Sequence, residues 1–230
     1  MARLIWDALG ERLYETGNSH GVLFPIDAKG VYENGVAWNG LVSVKQAPDG
    51  AEETPIYANN HKYLSITSAE NFKGSIEAFT YPDEFMACDG SKELNPGVYA
   101  GQQTRKPFGL VYSTIIGNDT EGNDHGEKIH VIYNAKVAPS SRDYTTVNEQ
   151  TEPLNFSWEF STTPADVSEK LREMGIKPTA YIGIDCTKLT PEQVKALKDK
   201  IYGTEAEESA MPTIDELITL TRPAVTEPEG

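Results

Sequence analysis

The chain has 230 residues, of which 38% are hydrophobic and 9% aromatic, so it can bury the core of one large domain. Its 35 acidic and 20 basic residues give a net charge of −15, and such a surface repels nucleic-acid phosphates and anionic lipid. The sequence contains no run of 18 apolar residues, and its N-terminus lacks the apolar core of a signal peptide. We therefore expect no membrane-spanning helix and a chain that folds in a cytoplasm.

The first part of the chain carries short strand patterns. Residues 3–14 predict a strand, an Asp-to-Gly turn and a second strand. Weaker strand patterns follow at 41–46, 61–67 and 73–80. Between them, residues 45–57 are polar and rich in turn residues. This stretch is long for a hairpin connection, and loops of that length are often functional.

The clearest strand patterns lie at 108–116, 128–135, 154–161 and 179–185. In 154–161, apolar and polar side chains alternate over eight residues, which is typical of a strand with one buried face. The other three strands alternate in the same way. One face carries Phe108, Leu110, Tyr112, Thr114 and Ile116 in 108–116, Ile129, Val131 and Tyr133 in 128–135, and Ala180, Ile182 and Ile184 in 179–185.

Helix signals come later in the chain. Residues 190–203 begin with a capping box of Thr190 and Gln193, and Val194, Leu197 and Ile201 form an apolar stripe. Residues 163–175 predict a helix with Thr163 as N-cap, and with Val167, Leu171 and Met174 on one face. Shorter helices are predicted at 82–85 and 212–220.

The order of these elements predicts the fold class and the domain boundary. The chain is mostly β with late helices, which indicates a mainly β fold: a β-sandwich or barrel with one or two flanking α-helices. Residues 1–202 form this domain in the prediction. Residues 203–230 carry seven acidic residues, one arginine and three prolines, and this composition predicts an acidic C-terminal arm that is disordered in part.

The stretch GNDTEGNDHGEKIH at 117–130 has the composition of a metal site. An EF-hand loop starting at Asp119 would place Asp124 where glycine is required and His130 where glutamate is required, so that template fails. His125 and His130 could converge on zinc, but the pattern fixes no third ligand. The stretch also fails as a phosphate loop, because Asn123 and Asp124 stand where Lys and Ser/Thr are needed. It is better explained as a glycine-rich connection between two strands.

Other chemistry-bearing patterns are few. The motifs G-x-S-x-G, H-E-x-x-H and G-x-G-x-x-G do not occur, and Cys88 and Cys186 are too far apart in sequence to suggest a disulfide scaffold or a zinc site. Trp6, Trp38 and Trp158 each stand among alternating apolar residues, and we expect them in the core rather than on a ligand platform. These observations predict no catalytic residue, no cofactor and no metal.

Several long stretches together resemble major tail tube proteins of long-tailed bacteriophages and prophages of Gram-positive bacteria. They are ARLIWDALGERLYETGNSHGVLFP, GVAWNGLVSV, SIEAFTYPDEFMACDG, the segment from GQQTRKPFGL at 101 to EFSTTP at 164, and YGTEAEESAMPTIDELITL. The resemblance implies a structural virion protein without enzyme activity. Such proteins assemble as rings, usually hexameric, which stack into a tube through which DNA is ejected.

The resemblance also implies the partners and the location of the protein. The partners would be further copies of the same chain, the tail-tip, tape-measure and tail-terminator proteins, and DNA that passes without specific binding. The protein would assemble in the host cytoplasm and reside in the virion tail. Matching interface segments are the loop 47–56 and the arm 203–220. The candidate inter-subunit or inter-ring contacts in them are Pro48, Asp49, Glu52, Glu53, Glu205, Glu207 and Glu208.

Two other functions are left open by the sequence. A β-sandwich that binds carbohydrate or a receptor would display two or three exposed Trp or Tyr side chains on one sheet face. A metal-dependent hydrolase would use Asp119, Asp124, His125 and His130. For the tube, the charge of −15 per subunit predicts an acidic lumen and no measurable DNA affinity at physiological salt.

Overall fold

The computed structural model describes residues 4–146 and 153–222. Its strands are β1 (Tyr14–Pro25), β2 (Val36–Ala37), β3 (Leu41–Gln46), β4 (Asp49–Gly50), β5 (Glu53–Ala58), β6 (His61–Thr67), β7 (Glu70–Asn71), β8 (Lys73–Ala78), β9 (Lys92–Asn95), β10 (Val98–Ala100), β11 (Phe108–Asn118), β12 (Gly122–Val137), β13 (Phe156–Thr162) and β14 (Tyr181–Asp185). Its helices are α1 (Met86–Asp89), α2 (Glu169–Glu173), α3 (Pro191–Tyr202) and α4 (Ile214–Leu220). Two 3-10 turns, Asp83–Phe85 and Cys186–Lys188, precede α1 and α3. The predicted mainly β class with flanking helices is confirmed.

The main sheet is antiparallel and bends at one strand. Its order is β2-β1-β11-β12-β13-β8-β3, and β14 joins it as a further partner of β12. Along one edge of β12, residues 128–132 pair with β14 and residues 135–137 pair with β13. Asn134 lies between these stretches with φ of +49°, and the facing strand β11 shifts register there. Such an irregularity bends a strand, and here it folds the sheet into the two layers of a sandwich.

The central strands bury both of their faces, each against a separate core. The inner core lies between the two layers of the sheet and contains Leu23, Trp38, Ile76, Ala78, Phe85, Cys88, Phe108, Leu110, Tyr112, Ile132, Ala135, Val137, Trp158 and Phe160. The helix-side core lies between the opposite face of β1, β11 and β12 and helices α2–α4. It contains Val22, Phe24, Val111, Ile129, Val131, Tyr133, Val167, Leu171, Ile184, Cys186, Leu197, Ile201, Met211, Ile214 and Leu217.

Most predicted strands are confirmed. The ranges 41–46 and 61–67 coincide with β3 and β6, and the other five strand patterns after residue 40 overlap β8, β11, β12, β13 and β14. The alternation in β13 matches its burial, with Trp158 and Phe160 inside and Ser157 and Glu159 exposed. In β12 the burial runs without alternation from Ile129 to Tyr133, because its second face is covered by the inner core.

In the part of residues 3–14 that the structure describes, the two predicted strands are wrong, whereas the turn between them forms, with Glu11 N donating to the Ala8 carbonyl at 3.0 Å. Residues 4–13 form no strand, and β1 begins at Tyr14. Asp7 and Gly10 adopt positive φ, which breaks the extended backbone that sheet pairing needs. The side chain of Trp6 is consequently 76% exposed, so its predicted burial is wrong, whereas Trp38 and Trp158 are buried as expected.

The two later helices confirm their sequence signals. Thr190 and Gln193 form the predicted capping box of α3, and Leu197 and Ile201 are fully buried. Helix α4 falls inside the predicted range 212–220 and has a capping box of its own. Residues 82–85 contain the 3-10 turn that leads into α1.

Helix α2 is shorter than predicted. It spans five residues with Ser168 rather than Thr163 as N-cap. Residue Ala165 instead forms a β-bridge with Thr179, with N–O distances of 2.9 and 3.2 Å, and this pairing holds the preceding backbone extended. Leu171 is buried as predicted, whereas Met174 lies at the helix end with its side chain exposed.

The segment after α3 differs from the extended arm expected for 203–230. Met211, Ile214 and Leu217 lie in the helix-side core, and the Tyr133 hydroxyl donates to the Pro212 carbonyl at 2.9 Å. Apolar side chains at helical spacing therefore dock 211–220 onto the sheet, despite the acidic composition around them. Residues 223–230 lie outside the described residues.

Candidate assembly surfaces

Apart from the two-residue β2, two strands of the main sheet have open outer edges in the described part of the chain. Within the described residues, β3 pairs with β8 alone and β14 pairs with β12 alone. An open edge presents unpaired backbone N–H and C=O groups that can accept another strand. The edge of β1 is different: β2 covers it at Val22 and Leu23, and positive φ angles at Gly17 and His20 interrupt its regularity. Of these edges, β3 and β14 are better shaped for strand addition.

The predicted loop at 47–56 is the start of a separate β-hairpin. Strands β4 and β7 form the base of this hairpin, and β5 and β6 extend it. At the base, Asp49 Oδ2 accepts from Lys73 Nζ at 2.6 Å, and this ion pair lowers the pKa of the Asp49 carboxyl. Further along, Glu53 Oε1 accepts from Lys62 Nζ at 2.5 Å. The stretch is thus a structured arm rather than an irregular loop.

One face of this hairpin is apolar and exposed. Ile56 lies directly opposite Leu64, and Thr54 lies opposite Ile66. The exposed fractions of Ile56, Leu64 and Ile66 are 39%, 40% and 56%. Because an isolated two-stranded hairpin is marginally stable in water, an apolar face of this kind favours contact with another surface.

The predicted contact residues fall into two separate places. Pro48, Asp49, Glu52 and Glu53 lie exposed along the base and first strand of the hairpin, and Glu205, Glu207 and Glu208 lie exposed in the loop after α3. Glu208 bonds the Asn34 side chain, which ties that loop to the β1–β2 connection. Among the described residues, no hydrogen bond or ion pair joins the two groups. The candidate contact residues are all polar or proline, and the apolar face beside them has its own sequence signal, the alternation in 54–66.

The N-terminal segment, residues 4–13, is a third exposed surface. Its large apolar side chains are exposed by 61–79%: Leu4, Ile5, Trp6, Leu9 and Leu13. The segment is tethered at its far end, where Gly10 N donates to Asp119 Oδ1 at 2.9 Å and Arg12 lies 3.6 Å from the same carboxylate. The acidic connection at 117–130 thus acts as an anchor for this segment.

The stretch 117–130 contains the tip of the β11–β12 hairpin, as predicted, but the turn itself is limited to 119–121, and residues 122–130 are the first part of β12. Asn118 Oδ1 accepts from the backbone N–H groups of Thr120 and Glu121, which closes the turn. His125 Nδ1 lies 2.6 Å from Glu121 Oε2, whereas His130 is buried in the sheet with different partners. Over residues 4–146 and 153–222, no group of three or more His, Cys, Asp or Glu side chains is arranged to hold a metal ion.

His130 is the centre of a buried polar network. Its ring stacks on Tyr112 at 4.6 Å between centroids, Nδ1 lies 2.8 Å from the Tyr181 hydroxyl, and Nε2 lies 2.8 Å from the Thr114 hydroxyl. Burial lowers the pKa of His130 to about 4, although Glu15, 3.4 Å away, acts in the opposite direction. Burial raises the pKa of Glu15, but hydrogen bonds from Thr114 and Lys128 outweigh it and the net pKa is lowered.

Both cysteine thiols lie inside the protein. Burial raises the pKa of Cys88 to about 12 and the pKa of Cys186 to about 11. Since the thiolate is the nucleophile and the metal ligand, both side chains are protonated at neutral pH and behave as apolar core residues.

Comparison with known proteins adds no relative. No family model matches the chain, and no curated protein matches it either. No helix of the described chain is long and apolar enough to cross a bilayer.

Proposed function

We propose that the protein is the subunit of a phage tail tube, which assembles as rings that stack around a channel for DNA. The observation that carries the proposal is the β5–β6 hairpin, which exposes Ile56, Leu64 and Ile66 on one face. A hairpin of this kind is suited to contact a neighbouring copy, and the sequence resemblance implies that a long loop between early strands does so.

The open edges of the sheet support the same proposal. A strand edge that lacks a partner within one copy can pair with a second copy, and repetition of that contact around a closed ring leaves no free edge. Strands β3 and β14 provide two such edges. Different surfaces on one subunit permit the head-to-tail contacts that build a ring.

The charge of the chain suits a channel for DNA. A net charge of −15 per subunit is repeated in every copy of a ring. Each cation in a lumen would add a salt-dependent contact with phosphate, whereas acidic walls repel the polyanion and let it slide. We expect an acidic lumen, and assembled protein that has no measurable affinity for double-stranded DNA at physiological salt.

Electron microscopy of the pure protein over a range of concentrations tests the proposal. We expect rings or tubes on the order of 100 Å wide, from about six domains of this size around a DNA-width channel. The variant Ile66→Asp should prevent assembly without altering the folded domain, whereas Val31→Asp, an exposed apolar site off the hairpin, should assemble normally. A globular dimer that binds a small ligand would refute the tube function.

A binding module is the second candidate. Tyr57 and Tyr63 on the hairpin are 68% and 67% exposed, and exposed tyrosines are common on carbohydrate-binding surfaces. They lie on a two-stranded hairpin rather than on the main sheet, where Trp38 and Trp158 are buried. Glycan-array binding that is lost in Tyr57→Ala and Tyr63→Ala would favour this function over the tube.

A further inference from the structure

An apolar groove borders the open edge of β14. It lies between β14 and α4, has a volume of about 450 Å³, and is lined mainly by Ile176, Ile182, Ile184, Leu189, Leu217 and Ile218. Gly183 at the centre of β14 is exposed, and no described strand pairs with that edge. A groove of this kind offers both backbone hydrogen-bonding groups and apolar side-chain positions, which are the requirements for binding an extended segment.

The N-terminal segment has the complementary properties. Residues 4–13 form neither helix nor strand; within the described residues the backbone groups of Leu4, Ile5 and Trp6 make no hydrogen bond, whereas those of Gly10, Glu11 and Leu13 donate within this copy. The segment displays five large apolar side chains that its own fold leaves exposed, and Asp7 stands between them. The rim of the groove carries Lys188, which already pairs with Asp185 at 3.1 Å, so the complementarity lies in the apolar side chains rather than in charge.

The segment of one copy does not fill its own groove. Gly10 is bound at the tip of the β11–β12 hairpin, four residues beyond Thr114. Thr114 pairs with Lys128, and Lys128 pairs with Asp185 at the end of β14, so these three residues lie side by side across the sheet. That offset is about 13 Å along the strands, and the groove lies about 10 Å further across the sheet. Residues 1–9 would span about 30 Å if extended, so reach alone does not exclude the groove of the same copy, but Leu4, Ile5 and Trp6 stay 72–77% exposed in the structure.

We infer that the N-terminal segment of a second copy of this chain docks in the groove between β14 and α4. The inference rests on the proposed tube function, for which it names a contact between subunits. Burial of the five exposed side chains removes about 500 Å² of apolar surface on one copy, and the groove contributes a similar area. The sum is at the low end for a specific interface, so the contact is weak in a pair of copies and is strengthened when it repeats around a ring.

Disulfide trapping between two variants tests the inference. Tagged Ile5→Cys protein is mixed with untagged Ile218→Cys protein at assembly concentration and oxidised. Docking should produce a mixed dimer roughly tenfold above that formed when Val31→Cys replaces Ile218→Cys, because docking raises the local thiol concentration. Val31 is a suitable control, since it is exposed and lies outside the groove. The native cysteines are buried, which keeps background crosslinking low.

Tryptophan fluorescence gives an independent measurement. Trp38 and Trp158 are already buried, so a blue shift with rising concentration reports the burial of Trp6. The shift should disappear in Ile218→Asp, in which the groove carries a charge. Mixed dimers support the inference whether or not microscopy finds tubes, so failure of the tube function is detected separately. Two results would overturn the inference. One is a yield of mixed dimers no higher than in the Val31→Cys control, and the other is a disulfide within one chain when Ile5→Cys and Ile218→Cys are combined in the same protein at high dilution.

Discussion

The His130 network predicts a specific loss of stability in acid. In the fold, burial lowers the pKa of His130 to about 4, whereas an unfolded histidine has a pKa of about 6.5. Above pH 6.5 the ring is neutral in both states and has no effect on the pH dependence. As the pH falls below 6.5 the unfolded chain takes up a proton that the folded chain refuses, so the free energy of unfolding decreases until the pH passes about 4.

The size of this loss follows from the two pKa values. At pH 4.5 the unfolded ring is almost fully protonated and the folded ring is mostly neutral, a difference worth about 2.5 kcal/mol. The ring is 5% exposed, so solvent screening removes little of this energy. The stability that Glu15 contributes is also lost in acid, because its folded pKa is lowered. Its hydrogen bonds from Thr114 and Lys128 remain when His130 is replaced, so this loss occurs in both proteins.

The variant His130→Gln isolates the effect. Glutamine retains a donor and an acceptor for the hydroxyl partners but does not titrate. Urea unfolding of both proteins at pH 7.5 and pH 4.5 gives the decrease in free energy for each. We expect the natural chain to lose about 2–3 kcal/mol more than the variant over this interval. Equal losses in the two proteins would show that His130 is not kept neutral by the fold, and the reasoning would be refuted.

Two further substitutions test what holds the domain together. The buried Asp89 carboxylate pairs with Arg142 and also accepts from the Trp158 indole. Arg142→Ala leaves this carboxylate buried without its cation, and the free energy of unfolding in urea should fall by about 2 kcal/mol. This figure is below that of a fully buried pair because Arg142 is partly exposed. Arg172→Ala, which breaks the exposed pair with Asp166, should cost much less, and equal losses would contradict the role of burial. Leu197→Ala removes a fully buried side chain of α3 and should lower the free energy of unfolding by about 2–5 kcal/mol. Lys195→Ala, at an exposed site of the same helix, should lower it by less than about 0.5 kcal/mol. A loss below about 1 kcal/mol for Leu197→Ala would contradict the place of Leu197 in the core.

Local signals predicted the elements whose boundaries are set locally. Helix α3 begins directly after the capping box of Thr190 and Gln193, and its apolar side chains at helical spacing form the buried face. Strands β3 and β6 were predicted to the residue because turn residues border them on both sides. In these segments the local preference and the tertiary environment agree.

Tertiary pairing explains the errors. The start of α2 moved because Ala165 pairs with Thr179, a contact between residues that the local sequence pattern does not connect. Residues 4–13 have a strand-like composition, but positive φ at Asp7 and Gly10 and the anchor at Asp119 take them away from the sheet. A period-two pattern shows that alternate side chains differ, but it cannot show whether both faces of a strand such as β12 are covered.

The same limit applies to the proposed interface, of which the sequence indicates the charged residues. The sequence indicated the hairpin region through its polar, turn-rich start, and it therefore led to Asp49 and Glu53, which form ion pairs within the same copy. The apolar residues Ile56 and Ile66 have the pattern of a buried strand, and exposure becomes visible once the structure shows that nothing in the described chain covers that face. Alternation predicts which side chains share a face, but the burial of that face depends on contacts distant in sequence.

The distribution of exposed apolar side chains argues for contacts between copies rather than for poor packing. Of the 21 large apolar side chains that are exposed in the described chain, ten lie on two elements that stand apart from the main sheet, the N-terminal segment and the β5–β6 hairpin. These elements are separate from the groove beside β14, so one copy has both the segment that would dock and the groove that would receive it. Unlike surfaces permit head-to-tail contacts that close into a ring, and they equally permit a reciprocal exchange between two copies about a two-fold axis. In the proposed tube, each subunit would be incomplete until a neighbour covers these surfaces.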